Sequence, residues 1–351
     1  MRRPAVTLKA LAEACGVSIA TASNAFNRPD QLSDALRHRV LRRAEAMGYR
    51  GPAIEGRLLR SGHAGAVAVY PREPLEYLLR DPCAVALVES IAARCQARQL
   101  GLVLLPSVPR ERGTGGRLAT ALDVAAVDGF LMYCLPDRDP AIERILDRRK
   151  AVIAIDMSGD ERFAGVNVDD QGGAALAARR LVETGRRRPA VLSLPVDARR
   201  ASGRLPLDEM RRAAFPVTRR RWRGYLKGLR SGGVAVRDVA REVVAVNAER
   251  DGRAAAAALL ARTPRPDAIL AMTDVLALGA LEACRERGLG VPEDVAIVGF
   301  DDILPAAESA GLTTIRQDVG EKGRLAVERL LGNGDGAGTT LPVTLVVRRS
   351  G

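Results

Sequence analysis

Histidine is almost missing from this chain of 351 residues: His38 and His63 are its only two, both near the N-terminal end. Acid–base work that needs an imidazole therefore has no material beyond residue 63, and a hydroxyl nucleophile would lack its usual base. The phosphate-loop pattern G-x-x-x-x-G-K-[ST] and the zinc pattern H-E-x-x-H are also missing. The glycine-rich GNGDGAG at 332–338 follows a helical stretch instead of opening one, so it reads as a loop. The five cysteines (15, 83, 95, 134 and 284) are scattered without a C-x-x-C, which predicts reduced core residues and neither disulfides nor zinc. No run of apolar residues approaches a membrane span, and none follows Arg2 and Arg3 as a secretory signal would. The expectation is a cytoplasmic, nucleoid-associated protein with no membrane partner, no metal and no cofactor. Aromatics make up only 3% of the chain, so alanine, leucine and valine must fill its cores.

What is present is apolar mass and clustered positive charge. A chain this long with 47% apolar residues has room for two or three domains with their own cores. The formal net charge is +12, and two stretches carry it. Residues 1–63 hold eleven Lys and Arg against five acids, and residues 199–223 hold nine Arg against Asp208 and Glu209. Clustered charge of this kind points to a polyanionic partner.

The first basic stretch contains TLKALAEACGVSIATASNAFN at 7–27. Leu8, Leu11 and Ala12 recur at helical spacing, Thr7 is a suitable N-cap, and Gly16 permits a sharp corner. Ser18 is placed to cap a second helix bearing Thr21, Ser23 and Asn24, short polar groups able to reach phosphates or base edges. A third helix follows Ser33 and closes at Gly48. This is the layout of a helix-turn-helix DNA reader; a helical hairpin in another small bundle would show the same pattern. From residue 64 apolar strands alternate with helical stretches, which predicts parallel sheets covered on both faces in two α/β lobes. Ligands of such lobes bind at strand C-terminal ends. Three ends here finish on carboxylates: Asp156 after AVIAI, Asp274 after AILAMT, and Asp301–Asp302 after VAIVGF. Carboxylates of this kind hold polyols, although any single one also serves as a helix cap.

These residues resemble the lactose-repressor (LacI/GalR) family of bacterial regulators. The head sequence carries the resemblance first. AVDGFLMY, GVNVDDQGGAALAARRLVETG, RWRGYLKGL, AILAMTDVLALGALEACRERGLGVPEDVAIVGFDDI and LTTIRQDVGEKGRLAVERLL extend it, in order, over nearly the whole chain. The resemblance implies an all-α helix-turn-helix head at 1–50, a hinge helix or linker at 51–63, and a periplasmic-binding-protein-like core at 64–351 of two doubly wound parallel-sheet lobes. The N-lobe is expected at about 64–157 plus 301–320, and the C-lobe at about 158–300 plus 321–351. It further implies a homodimer on double-stranded operator DNA, a repressor without catalysis, and a sugar-like small-molecule effector acting by allostery.

Carried over by position, Thr7 and Ser18 would contact phosphate. Ile19, Ala20 and Asn24 would face bases, and Thr21, Ser23 and Asn27 would anchor the backbone. In the core, Asp274 would be the main effector-binding carboxylate and Arg221 the effector-binding arginine, with Asp156 and Gln317 as further contacts. Two departures stand out. Ile19 and Ala20 cannot make the bidentate hydrogen bonds that identify guanine or adenine, although they can touch a thymine methyl. In the hinge, Gly56-Arg57-Leu58-Leu59 takes the place of the family's Ala-Arg-x-Leu, which makes Arg57 a DNA contact and Leu59 the minor-groove wedge. The basic run at 199–223 reads either as a solvated loop or as a clamp for a phosphorylated effector. A small-molecule-binding α/β protein or an enzyme with no DNA role is the competing class.

Overall fold

The computed structural model describes residues 6–49, 63–107, 121–197, 201–332 and 337–351. Arg57 and Leu59 lie outside the described residues, as do nearly all of the expected hinge and the side chain of Asn27. The chain forms two compact units, residues 1–64 and 65–351.

In the first unit, helices α1 (Leu8–Cys15), α2 (Ile19–Asn27) and α3 (Asp34–Met47) each begin on a hydroxyl cap. Thr7 accepts from the Ala10 amide, Ser18 from Thr21 and Ser33 from Leu36. Gly16 and Gly48 end α1 and α3 at φ of +65° and +72°, a conformation that costs a side-chain-bearing residue roughly 1–2 kcal/mol. The core of this unit is small. Among its described, fully buried residues only Leu11 and Val40 exceed alanine in size, each contributing roughly 1.5–3 kcal/mol. An edge-on pair of Phe26 and Tyr49, 5.6 Å apart, closes one side.

The second unit holds thirteen strands among the described residues. In chain order they begin with β1 (Ala66–Pro71), β2 (Gly101–Leu104), β3 (Gly129–Tyr133), β4 (Ala151–Ile155) and β5 (Ala164–Val168). Next come β6 (Pro189–Ser193), β7 (Gly203–Arg204), β8 (Ala240–Val243), β9 (Ala268–Ala271) and β10 (Ala296–Val298). The last three are β11 (Thr314–Gln317), β12 (Thr339–Leu341) and β13 (Val343–Val346). One sheet runs β12-β5-β4-β3-β1-β2, parallel throughout. The other runs β10-β9-β6-β8-β7, parallel except for β7. Both sheets are buried on two faces: Val67 and Val69 of β1 enter one core, while Ala68 and Tyr70 enter the core on the opposite side. Near-continuous apolar strands are the sequence consequence of that double burial.

Two boundaries differ from expectation. The sequence reading places residues 158–168 and 321–341 in the C-lobe, whereas β5 and β12 pair as the last two strands of the N-lobe sheet. The helix Val319–Leu331 packs against the N-lobe helix Pro82–Ala97, burying Ala326, Val327 and Leu330 beside Leu87 and Ile91. The chain therefore crosses between lobes at 168–170, between 301 and 317, and at 342. The antiparallel pair β11 and β13 lies at these crossings.

Candidate functional site

On the head, Thr7, Ser18, Ile19 and Ala20 are exposed, and Ile19 keeps 50% of its surface in solvent. The Ser18 and Thr21 hydroxyls lie 2.8 Å apart, so one already occupies the other. Thr21, Ser23 and Asn24 are half-buried. The Asn24 amide donates to Gln31 at 3.2 Å, which restrains the one side chain at the base-facing positions that could pair with adenine.

In the core, the C-terminal ends of both parallel sheets face a common cleft of about 890 Å³ measured out to bulk solvent. Its polar lining comes from both lobes and from the crossings, and includes Arg72, Glu73, Asp81 and Asp156 from the first, Arg221, Asn247 and Thr273 from the second, and Asp301 and Gln317 from between. The backbone explains why carboxylates collect here. Cys134, Asp156, Asp301 and Asp302 follow strand ends with φ of 55°, 56°, 124° and 53°. Each such residue costs on the order of 1–3 kcal/mol, and strain of this kind concentrates where a side chain must be aimed at a ligand.

The polar groups form a continuous chain across the lobes. Lys322, 1% exposed, donates to Asp156 Oδ2 at 2.6 Å and to Gln317 Oε1 at 3.0 Å. The Gln317 amide in turn donates to Asp301 Oδ1 at 2.7 Å. Arg221 lies 3.6 Å from Asp301, donates to Asp170 Oδ1 at 2.9 Å and to the Met272 carbonyl, and stacks its guanidinium 3.6 Å over the Phe300 ring. A second bridge joins the lobes where Asn247 donates to Asp81 at 2.7 Å and accepts from the Thr273 hydroxyl at 2.6 Å. Burial pushes the Asp301 carboxyl up to about 8, against the pull of Arg221. One atom in this network has no partner: Asp156 Oδ1, buried on a residue that lines the cleft.

Of the four expected effector contacts, Asp156, Arg221 and Gln317 meet in this cleft and Asp274 does not. Asp274 is fully buried behind it, with Oδ1 accepting from Thr314 and Oδ2 from the Asp302 amide. Gly299 covers it so closely that a Cβ there would sit 2.2 Å from Asp274 Oδ1. Asp274 is thus a structural tie between the helix Asp274–Glu286 and the crossing strand, and Asp301 is the strand-end carboxylate that opens to the cleft.

The phosphate clamp also lacks its residues. Among the described arginines of the basic run, Arg221 alone lines the cleft; Arg219 pairs with Asp137 and Arg220 with Asp170. Sequence reading missed Asp81, Asn247 and Lys322. Asp81 reads only as a cap before Pro82, and nothing local marks Asn247. Lys322 did carry a signal, since it falls on the apolar face set by Val319, Ala326 and Leu330.

Residues 7–51 match the lacI family of bacterial regulatory proteins, and residues 178–351 match a periplasmic binding protein-like domain. An HTH-type transcriptional regulator of Mycobacterium tuberculosis is 36% identical over 94% of this chain and 91% of its own length. IpsA, an HTH-type transcriptional regulator of Corynebacterium glutamicum, is 33% identical over 93% and 90%. Among solved structures, a LacI-family regulator from C. glutamicum superposes with a TM-score of 0.72 at 28% identity, covering 99% of both chains. The CelR–cellobiose complex superposes at 0.67 and 28% identity, covering 99% of this chain and 100% of that one.

Proposed function

The chain belongs to the lacI family of bacterial regulatory proteins, and from that premise we propose that it is a repressor controlled by a neutral, hydroxyl-rich effector bound in the interlobe cleft. It is a DNA-binding transcriptional regulator. In this reading it acts as a cytoplasmic homodimer and catalyses nothing. Thr7, Ser18 and Thr21 hold phosphates, Ile19 and Ala20 meet thymine methyls, and Asn24 supplies the remaining polar contact.

The observation that carries the effector reading is the convergence of Asp156, Asp301, Arg221 and Gln317 on one cleft. Carboxylates accept hydroxyl protons, and the Gln amide and guanidinium donate, which is the pattern a polyol requires. The Arg221 guanidinium in the cleft is already held by Asp170 and stacked on Phe300, which disfavours a phosphorylated ligand. The cellobiose bound by the relative CelR is a neutral sugar of this class. Asp81–Asn247 and Arg219–Asp137 tie the lobes together, so a ligand that spans them biases closure, and closure in a dimer changes how two heads fit an operator.

Fluorescence anisotropy on DNA from upstream of the protein's own gene, with and without neutral sugars, tests this reading. The expected result is salt-sensitive binding that a neutral sugar changes and a sugar phosphate does not. Binding that responds to the phosphorylated forms alone would refute it.

A further inference from the structure

Lys322 is not part of the cleft wall, yet it controls what the wall presents. It lies on the buried face of the helix Val319–Leu331, 1% exposed, with Asp156 Oδ2 and Gln317 Oε1 as its partners. Burial alone would discharge an ammonium group here; the adjacent Asp156 carboxylate keeps it charged. The consequence falls on Asp156. One of its oxygens is taken by Lys322, and the other, Oδ1, is buried without a partner on a residue that lines the cleft. A carboxylate already matched by a buried cation is neutral as a pair, so an approaching ammonium would put two cations on one acid, one of them inside the N-lobe. A hydroxyl meets no such penalty and satisfies Oδ1 directly.

We propose that Lys322 is a positioning residue that sets effector specificity: it turns Asp156 into an acceptor for one ligand hydroxyl and bars an amine from that place. The second contact strengthens the effect. By holding Gln317 Oε1, Lys322 turns the Gln317 amide toward Asp301, so two cleft groups take their orientation from one buried charge. Specificity here is a difference in affinities, produced as much by what is repelled as by what is held. The inference rests on the cleft being the effector site.

Calorimetry on the full chain tests it. The first panel is glucose, galactose, mannose, ribose and cellobiose, each beside a phosphorylated form. The second is the best-binding neutral sugar with its singly aminated derivatives, one hydroxyl replaced per derivative. Wild type is expected to prefer the neutral sugar over every aminated form. Lys322→Met removes the charge, and Lys322→Gln removes it while keeping a donor to Asp156, so the second variant serves where the first fails to fold. In both, one aminated derivative should gain on the parent sugar by about tenfold or more. A purely structural lysine would lower all affinities together and leave the order of preference alone. Folded variants with the wild-type order would overturn the assignment of Lys322 while leaving the sugar reading intact. If no neutral sugar binds wild type, the sugar reading falls and this inference with it.

Discussion

Asp301 lines the cleft and Asp274 does not, and under the proposed function that difference separates a ligand contact from a strut. Replacing Asp301 by Asn should remove the effector response while leaving operator affinity in the absence of effector within a few-fold, as read by anisotropy with and without the sugar. Replacing Asp274 by Ala should instead destabilise the core, because the Thr314 hydroxyl and the Asp302 amide lose their acceptor. An orphaned buried donor costs about 1–3 kcal/mol, so urea unfolding should report a loss of at least that size. Burial raises the carboxyls of Asp301 to about 8 and Asp274 to about 6. A carboxyl raised in the folded state binds more protons there than in the unfolded chain, so its contribution to stability declines as pH rises from about 4 to 8. Calorimetric melting across that range should show the core midpoint falling with pH, and Asp301→Asn should flatten the slope.

At the level of elements, the site depends on how closely two helices approach. The helix Pro216–Ser231 carries Arg221, and it packs on the helix Asp170–Glu183, which begins with that arginine's partner Asp170. Glycines permit the contact: a Cβ at Gly224 would lie 2.2 Å from the Gln171 carbonyl, and one at Gly228 would lie 2.5 Å from that of Ala175. Gly224→Ala must push the helices apart, at a cost of about 1–3 kcal/mol, and should loosen the Arg221–Asp170 pair with it. The expected outcome is a lower urea midpoint together with a weaker effector response. Lys227→Ala, on the exposed side of the same helix, should change neither. The strand-and-helix alternation of the core was readable because each element has its own period. Strands β5, β7, β11, β12 and β13 do not stand out in the sequence, and pieces such as GR, TIRQ and TTL carry too few apolar residues to show a period.

For the whole molecule, the proposed regulator is a linkage between two ligands. If effector changes operator affinity by some factor, operator must change effector affinity by the same factor. Calorimetry of the effector with and without bound DNA should return the ratio measured by anisotropy; a mismatch would mean the two sites are not coupled through one equilibrium. Operator binding should also weaken steeply with salt, because the basic head displaces counterions from phosphates.

The sequence alone was enough for the helix-turn-helix head, the α/β class of the core, the family, and the set of strand-end carboxylates. All of these are written in local patterns: caps three residues from their amides, apolar periods within one element, a carboxylate directly after a strand. Which carboxylate opens to the cleft was decided by tertiary structure, because it depends on whose donors reach its oxygens. Asp274 is closed off by Thr314, Asp302 and Gly299, while Asp156 meets Lys322 from 166 residues away and keeps one oxygen free. Asp81 meets Asn247 at the same separation in sequence. No local spacing encodes such pairs; they exist only once three crossings bring the two sheets' C-terminal ends face to face.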